Sequence, residues 1–230
     1  MQATQRVAQA LTRNIGKVVI GKETAIELML NTILCKGHVL IEDVPGVGKT
    51  TLASALARSL DCSFKRIQFT PDITPSDITG FSVVNFKTGE LEYKQGLVMS
   101  QIVLADEINR TSPKTQSSLL EVMEEGQVTV DGVTYRMPAP FIVLATQNPV
   151  EQEGTYPLPE AQLDRFLFKV NVPFPSLEEL GAIVDLTTGG ADGVASQVCG
   201  GADILAMREI ARQVPVAQAV VTQVHRLCSP

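Results

Sequence analysis

The segment Gly46-Val47-Gly48-Lys49-Thr50 combines glycine, lysine and threonine in a spacing suited to phosphate chemistry. The backbone N–H groups of a glycine-rich loop can approach a phosphate chain closely, and the N-terminus of a following helix adds partial positive charge. Lys49 would reach the β- and γ-phosphates of ATP, and the Thr50 hydroxyl would ligate Mg²⁺. The strict pattern has glycine where this chain has Asp43. We predict an ATP-binding phosphate loop, with a plain structural turn as the alternative.

A second candidate site follows the apolar stretch 102–105, which ends in two adjacent acids, Asp106 and Glu107. At the carboxyl end of a strand beside a phosphate loop, Asp106 can hold Mg²⁺ through water. Glu107 can then orient and activate the attacking water. Adjacent acids also occur at solvated strand ends, which is the alternative. Their position downstream of a phosphate loop favours the catalytic interpretation.

A third candidate is Asn148, which follows the apolar stretch 141–145 and two further polar residues. An amide at the carboxyl edge of a sheet can sense the γ-phosphate and help to place the water. The alternative is an asparagine that turns the chain before Pro149.

These side chains require a sheet whose strands end at one edge, and the alternation of strand-like and helix-like stretches predicts an α/β fold. A helical first stretch is expected to precede the sheet, and Ser112 is expected to cap a helix that starts near Pro113. The predicted strands of the sheet are 38–41, 64–69, 101–105, 141–145 and 166–172, with a helix over 50–60.

Two hairpins and a helical tail complete the predicted organisation. The hairpins pair 81–84 with 91–93, and 128–130 with 133–135 around an Asp-Gly turn. Pro173 and Pro175 mark a boundary, after which Ser176 and Glu179 form a capping box for a helix. The glycine-rich stretch 187–201 is expected to be a mobile loop, followed by helical segments over 204–212 and 216–227.

The composition narrows the class of protein. The chain has 230 residues, 44% of them hydrophobic, and a formal net charge of −6. No cluster of basic and aromatic residues is present, which disfavours a nucleic-acid surface without excluding a basic pore loop in an oligomer. No apolar run approaches the roughly 20 residues of a membrane helix, and no secretory segment is recognised. The scattered cysteines are expected to be reduced and mostly buried, so we predict a cytoplasmic protein without a membrane span.

Three long segments contain the motifs in order: IEDVPGVGKTTLA, IVLADEINRTSPKTQSSLLEVMEEGQVTVDG and FIVLATQNPVEQEGTYPLPEAQLDRFLF. All three closely resemble the MoxR group of AAA+ ATPases, and the resemblance runs from about residue 19 to residue 174. Phosphate loops of this group commonly carry Asp-Val-Pro before their glycines, which accounts for Asp43. The resemblance implies a five-stranded parallel sheet with helices on both faces, hairpin insertions and a helical lid. The expected domains are an AAA+ core over 1–173 and an incomplete lid over 174–230.

The resemblance also implies roles for individual residues. By matching position, Asn148 is the sensor-1 residue, and Arg165 is the arginine finger that reaches the ATP of the next subunit. Arg110 is a second candidate for that role, and a surface charge at a strand edge is the alternative for Arg165. Val19 and Ile20 resemble the adenine-contacting segment, although core residues are an equal alternative. The predicted nucleotide-binding set also includes Gly46, Val47, Gly48, Lys49, Thr50 and Thr51.

One departure concerns the lid. Lids of the family carry a sensor-2 arginine in a Ser-Pro-Arg-like setting, whereas this sequence ends in Ser-Pro. None of Arg208, Arg212 and Arg226 lies in such a motif. We therefore expect an incomplete lid and reduced catalytic competence.

The resemblance therefore implies a MoxR-like ATPase that hydrolyses ATP with Mg²⁺ at the subunit interfaces of a ring, expected to be a hexamer. The family association implies chaperone-like remodelling, or cofactor or metal insertion, in a partner that bears a von Willebrand factor A domain. One alternative is an ATP-binding assembly scaffold with little turnover. A DNA-dependent motor is a second alternative, which the acidic net charge disfavours.

Overall fold

A central parallel sheet holds the polar residues that follow the apolar runs. The computed structural model describes residues 2–42, 48–148, 154–188 and 194–228. Within these ranges the strands are β1 (Val39–Glu42), β2 (Phe64–Gln68), β3 (Gly80–Val84), β4 (Leu91–Gln95), β5 (Ile102–Asp106), β6 (Gln127–Val130), β7 (Val133–Arg136), β8 (Ile142–Gln147) and β9 (Phe168–Asn171).

Helices flank the strands along the chain. The helices of the described ranges are α1 (Gln2–Gly16), α2 (Glu23–Leu34), α3 (Lys49–Ser59), α4 (Pro75–Thr79), α5 (Pro113–Glu125), α6 (Glu160–Leu163), α7 (Leu177–Thr188), α8 (Gly201–Arg212) and α9 (Gln218–Cys228). A 3₁₀ helix, Ile108–Arg110, directly follows the residue after β5. None of these helices has the length and apolar content needed to cross a membrane.

The sheet order is β2-β5-β8-β1-β9, and every neighbouring pair is parallel. This confirms the predicted five-stranded parallel sheet. In this register Gln68 lies beside Asp106, and Glu42 lies beside Gln147. The carboxyl ends of β1, β2, β5 and β8 therefore meet at one edge. The predicted hairpins are also confirmed, as the antiparallel pairs β3–β4 and β6–β7.

The two faces of the sheet bury separate apolar clusters because successive strand residues point to opposite faces. Helices α1, α2 and α3 cover one face, together with the buried Ile204 and Met207 of α8. Apolar residues of α4 and α5 cover the other face. All five residues of β5 are buried, as expected for a central parallel strand. The sheet is thus a rigid platform for the groups at its carboxyl edge.

Two predicted caps are confirmed. The Ser112 hydroxyl accepts a hydrogen bond from the Thr115 N–H at 3.3 Å, at the start of α5. At the start of α7, Ser176 and Glu179 exchange side-chain bonds to each other's backbone N–H groups. Both helices therefore begin where the sequence indicates.

The expected mobile loop over 187–201 was wrong in its described parts. Helix α7 continues to Thr188, and residues 194–200 are held against the core. The carbonyl of Ser59 accepts hydrogen bonds from the N–H groups of Val198 and Cys199, at 2.9 and 3.2 Å. Asn14 Nδ2 donates to the carbonyl of Ser196 at 2.6 Å. Glycine content indicated conformational freedom, but the carbonyl of Ser59 at the end of α3 and the side chain of Asn14 in α1 hold the segment.

The cysteine prediction holds in part. Cys35, Cys62 and Cys199 are free thiols, as expected for reduced cysteines. Cys199 is buried, but Cys35 is exposed because it follows the last turn of α2 at the surface.

The predicted boundary between an AAA+ core and a helical lid at residue 174 stays a prediction. Helix α8, which lies beyond that boundary, packs directly on α2, where Arg208 Nε donates to the carbonyl of Ile33 at 2.7 Å.

His38 links the amino ends of β1 and β8 to the carboxyl end of α5. Its Nδ1 accepts the N–H of Val143 at 2.9 Å, so its Nε2 carries the proton and donates to the carbonyl of Met123 at 3.0 Å. Burial lowers the pKa of His38 to about 4, and the charge of Arg208 adds to this effect against the opposing Met123 bond.

This lowered pKa predicts acid sensitivity. The unfolded chain takes up a proton near the ordinary histidine pKa of about 6.5, whereas the folded chain resists it until about pH 4. Stability should therefore be full above pH 6.5 and should fall with pH, by about 2 kcal/mol between pH 7 and pH 5. Denaturant unfolding at both pH values should show that His38→Gln removes most of this difference. His225→Gln, an exposed control, should keep this difference. If His38→Gln loses as much stability between pH 7 and pH 5 as the wild type does, the assignment of the acid sensitivity to His38 is wrong.

Candidate active site

The paired acids at the end of β5 are joined by one hydroxyl from β8. Thr146 is fully buried, and its Oγ1 donates to Asp106 Oδ1 at 2.6 Å. The same oxygen accepts the backbone N–H of Glu107 at 2.8 Å. The side chain of Asp106 and the backbone of Glu107 therefore have fixed positions relative to the central strands.

Two cations face Asp106 from other elements. Arg66 of β2 donates to Oδ2 from Nη2 at 2.7 Å and from Nε at 3.2 Å. Lys49 Nζ lies 4.0 Å from Oδ1. Burial alone would raise the pKa of the Asp106 carboxyl, but the bonds from Thr146 and Arg66 and the charges of Lys49 and Arg66 outweigh it and lower that pKa. Asp106 is thus an ionised carboxylate at neutral pH.

Glu107 marks a sharp change in backbone direction. Its φ of 57° and ψ of 50° lie in the left-handed region, which residues other than glycine seldom adopt outside special sites. Gln68 Nε2 donates to Glu107 Oε2 at 2.8 Å, and Arg110 Nε lies 3.2 Å from the same oxygen. The carboxylate is therefore held between β2 and the 3₁₀ helix, at the carboxyl edge of the sheet.

The amino end of α3 supplies the phosphate-binding part of the site. Gly48 precedes the helix with a φ of 85°, a conformation that favours glycine. The predicted residues Gly46 and Val47 lie outside the described residues. A cavity of about 270 Å³ is lined by Gly48, Lys49, Thr50, Thr51, Arg66, Gln68, Asp106 and Glu107. The structure thus brings the described part of the phosphate loop and both acids to one cavity.

The oxygen ligands that line this cavity are suited to Mg²⁺. Thr50 offers a hydroxyl and Asp106 a carboxylate, and both are the hard oxygen ligands that this ion prefers. Protein sites for Mg²⁺ commonly use only one or two carboxylates and complete the shell with water and phosphate oxygens. Thr50 and Asp106 could therefore hold the ion together with a bound nucleotide.

Asn148 directly follows β8, next to the strand that carries the acids. Its carbonyl accepts a long hydrogen bond of 3.4 Å from Asn109 Nδ2, in the 3₁₀ helix after Glu107. Asn148 thus lies at the same edge of the sheet as the acids. Its role as the γ-phosphate sensor stays a prediction.

Arg165 lies at the opposite edge of the sheet. It precedes β9, whose first residue, Phe168, pairs with Val39 at the beginning of β1. Arg165 forms an ion pair with Glu124 at the end of α5. Strands of four to six residues separate this edge from the acids by about 15 Å. The structure therefore does not bring Arg165 to the cavity of its own chain, whereas Arg110 contacts Glu107 of its own chain.

The predicted adenine-contacting residues differ in exposure. Val19 is buried in the core cluster, and Ile20 is half-buried. Their neighbour Val18 lines a second cavity of about 270 Å³, together with Thr50, Thr51 and Ala195. The adenine role of Val19 and Ile20 stays a prediction, with Val18 as an added candidate.

Sequence reasoning missed three residues of the site: Thr146, Arg66 and Gln68. The available signals were a threonine at the end of an apolar strand, and two polar residues in alternation at the end of β2. Neither signal is specific, because the partners of these residues lie about 40 positions away in sequence.

This chain is similar to known proteins over most of its length. Residues 38–168 match the family model for the ATPase family associated with various cellular activities (AAA). The chain is 46% identical over 213 residues to Chaperone MoxR1 of Mycobacterium tuberculosis, covering 93% of this chain and 56% of that protein. It is 64% identical over 166 residues to Uncharacterized protein YeaC of Bacillus subtilis, covering 72% and 52%. It is 35% identical over 173 residues to Protein MoxR of Methylorubrum extorquens, covering 73% and 50%.

A solved structure is similar as well. A crystal structure of a protein from Cytophaga hutchinsonii has a TM-score of 0.89 and 40% identity to this chain. The match covers 98% of this chain and 69% of that one. The chain spans about half the length of the curated relatives that it matches.

Proposed function

Because the chain belongs to the MoxR family of AAA+ ATPases, we propose that it binds ATP with Mg²⁺ at the carboxyl edge of its sheet and hydrolyses it there. The observation that carries this proposal is the single cavity lined by Lys49, Thr50, Asp106 and Glu107. A lysine and a helix N-terminus on one wall, with two acids on the other, are the groups that phosphoryl transfer from ATP needs.

Phosphate binding depends on the first turn of α3. The backbone N–H groups of this turn and the Lys49 ammonium attract the β- and γ-phosphates. When bound by Thr50 and Asp106, Mg²⁺ supplies positive charge that neutralises the phosphate oxygens. The cavity beside Val18 and Thr51 is a suitable place for the adenine base. Val18 is next in sequence to Val19 and Ile20, the proposed adenine-contacting residues.

Hydrolysis depends on Glu107 and Asn148. Glu107 orients a water and accepts its proton, and a general base of this kind contributes about 10² to 10⁴ in rate. The bonds from Gln68 and Arg110 restrict the carboxylate, so little reorganisation is needed before it acts. Asn148, at the adjacent strand end, contacts the γ-phosphate and helps to place the water.

Completion of the site requires a second copy of the chain. Arg165 lies about 15 Å from the acids of its own chain, by the length of the strands between them. We therefore assign it as the arginine finger for the neighbouring subunit of a ring, with a hexamer as the proposed assembly. Arg110 stays the second candidate for an intersubunit role.

The proposed biological role is chaperone-like remodelling of a partner protein in the cytoplasm. The name of the relative Chaperone MoxR1 supports this role. A partner with a von Willebrand factor A domain, and the insertion of a cofactor or metal into it, are the finer forms of the proposal. The lid consists of residues 174–230. Its movement on nucleotide binding and hydrolysis would transmit the conformational change to the partner protein.

Two substitutions separate binding from chemistry. Lys49→Ala removes the cation that contacts the phosphates, so labelled ATP should bind at least about tenfold more weakly. Glu107→Gln keeps the shape of the site, so ATP should bind nearly as in wild type while phosphate release falls about 10² to 10⁴-fold. Equilibrium binding and phosphate release test both changes.

The exposed residues Lys114 and Glu121 on α5 provide matched controls. Lys114→Ala and Glu121→Gln should bind and hydrolyse ATP as wild type does. Normal hydrolysis by Glu107→Gln would show that Glu107 is not the base. Unchanged binding by Lys49→Ala would show that the phosphates lie elsewhere.

Mixing of variants tests the trans role of Arg165. Lys49→Ala subunits offer an intact finger, and Arg165→Ala subunits offer an intact pocket. A finger supplied in trans contributes about 10³ to 10⁵ in rate, so the mixture should recover phosphate release that neither variant has alone. Release should also rise steeply with protein concentration.

The control mixture pairs Arg165→Ala with the double variant Lys49→Ala, Arg165→Ala. It contains intact pockets but no finger, so it should stay inactive. If rings that contain both single variants recover no phosphate release, Arg165 is not the arginine finger. Arg110 is then the next residue to test for that role.

A further inference from the structure

Arg66, which belongs to none of the three sequence motifs, contacts the Asp106 carboxylate more closely than Lys49 of the phosphate loop does. It lies on β2, the edge strand next to β5. Two of its nitrogens, Nη2 and Nε, donate to Asp106 Oδ2 at 2.7 and 3.2 Å. The Arg66 side chain is 46% exposed, whereas that of Asp106 is 9% exposed. A half-exposed guanidinium therefore covers one oxygen of a nearly buried carboxylate.

The two oxygens of Asp106 have different partners. Oδ1 accepts the short bond from Thr146, a residue that is fully buried and cannot move away. Oδ2 accepts only from Arg66 among the bonds of the described residues. The side chain of Arg66 can leave because one side of it faces solvent. If Arg66 moves, Oδ2 can accept a hydrogen bond from a Mg²⁺-bound water, whereas Oδ1 already accepts from Thr146 and faces Lys49 Nζ at 4.0 Å.

Arg66 is also connected to the other acid. Its Nη2 donates to Gln68 Oε1 at 2.6 Å, which fixes the orientation of the Gln68 amide. The opposite end of that amide donates to Glu107 Oε2 at 2.8 Å. Arg66 and Gln68 are two positions apart on a strand, so they share one face. A single row of donors on β2 thus contacts both acids.

We propose that Arg66 is a positioning residue that competes with Mg²⁺ for Oδ2 of Asp106, and so limits how strongly Mg²⁺ and nucleotide favour each other's binding. The inference rests on the proposed ATP site. For a Mg²⁺-bound water to reach Oδ2, the Arg66 guanidinium has to be displaced. Part of the binding free energy of the ion would be used for that displacement.

Arg66 has the opposite effect when Mg²⁺ is withheld. Its positive charge lies beside the phosphate cavity and offsets the negative charge of Asp106, so it favours nucleotide alone. Loss of Arg66 should therefore weaken binding without Mg²⁺ and strengthen binding with Mg²⁺. Both changes increase the ratio of the two dissociation constants, which measures the coupling between ion and nucleotide.

The test measures the affinity for a fluorescent ADP analogue in excess Mg²⁺ and in excess EDTA. For Arg66→Gln, the ratio of the dissociation constant in EDTA to that in Mg²⁺ should increase about three- to tenfold over wild type. Arg66→Lys keeps the charge but loses the paired donors, so it should show a smaller increase. Lys65→Gln removes the same charge from the neighbouring position, on the other face of β2, and should keep the wild-type ratio.

The outcomes separate this inference from the proposed function. If wild type binds the analogue but the ratio in Arg66→Gln equals that of wild type, the role of Arg66 is overturned and the ATP site stands. An equal loss of affinity in both conditions would make Arg66 a phosphate ligand and overturn the inference too. If Arg66→Gln does not fold, a ratio for Arg66→Lys at or below that of wild type overturns it. Failure of wild type to bind the analogue in either condition overturns both proposals.

Discussion

The candidate site depends on the hydroxyl of Thr146. This one group joins two strands that are distant in sequence, because it donates to the Asp106 carboxylate and accepts the Glu107 N–H. The parallel pairing of β5 with β8 brings it there, since Ala105 lies opposite Ala145 and the next residues follow in step. A left-handed backbone at Glu107 then turns the chain into the 3₁₀ helix. The positions of the Asp106 carboxylate and of the Glu107 backbone thus depend on one buried hydroxyl.

Other elements add charge around that fixed point. The strand order brings β1 and the start of α3 to one side of β8, and β2 to the far side of β5. Lys49, Arg66 and Arg110 therefore surround two carboxylates, and the bonds to Asp106 lower the pKa of its carboxyl in spite of its burial. Arg165 is the exception among the predicted residues, because it lies at the opposite edge beside Glu124. That separation supports the proposal that hydrolysis needs two neighbouring subunits.

The sequence predicted the parts of this arrangement that are local. Apolar runs identified the strands, and Lys49, Thr50, Asp106 and Glu107 were identified by residue type and spacing. Thr146, Arg66 and Gln68 were not identified, because their roles depend on partners about 40 residues away that strand pairing brings together. Residues 194–200 were misjudged for a similar reason. Local glycine content cannot indicate that Ser59 will accept their backbone hydrogen bonds.

The proposed hydrolysis requires that Thr146 hold both acids in place. The most direct measurement is single-turnover phosphate release, with protein in excess over labelled ATP, for Thr146→Val beside Thr146→Ser. Valine keeps the shape but loses the hydroxyl, so release should slow by about 10- to 100-fold while ATP affinity changes by about threefold or less. Serine keeps the hydroxyl and should stay close to the wild-type rate. A wild-type rate in Thr146→Val would contradict the account.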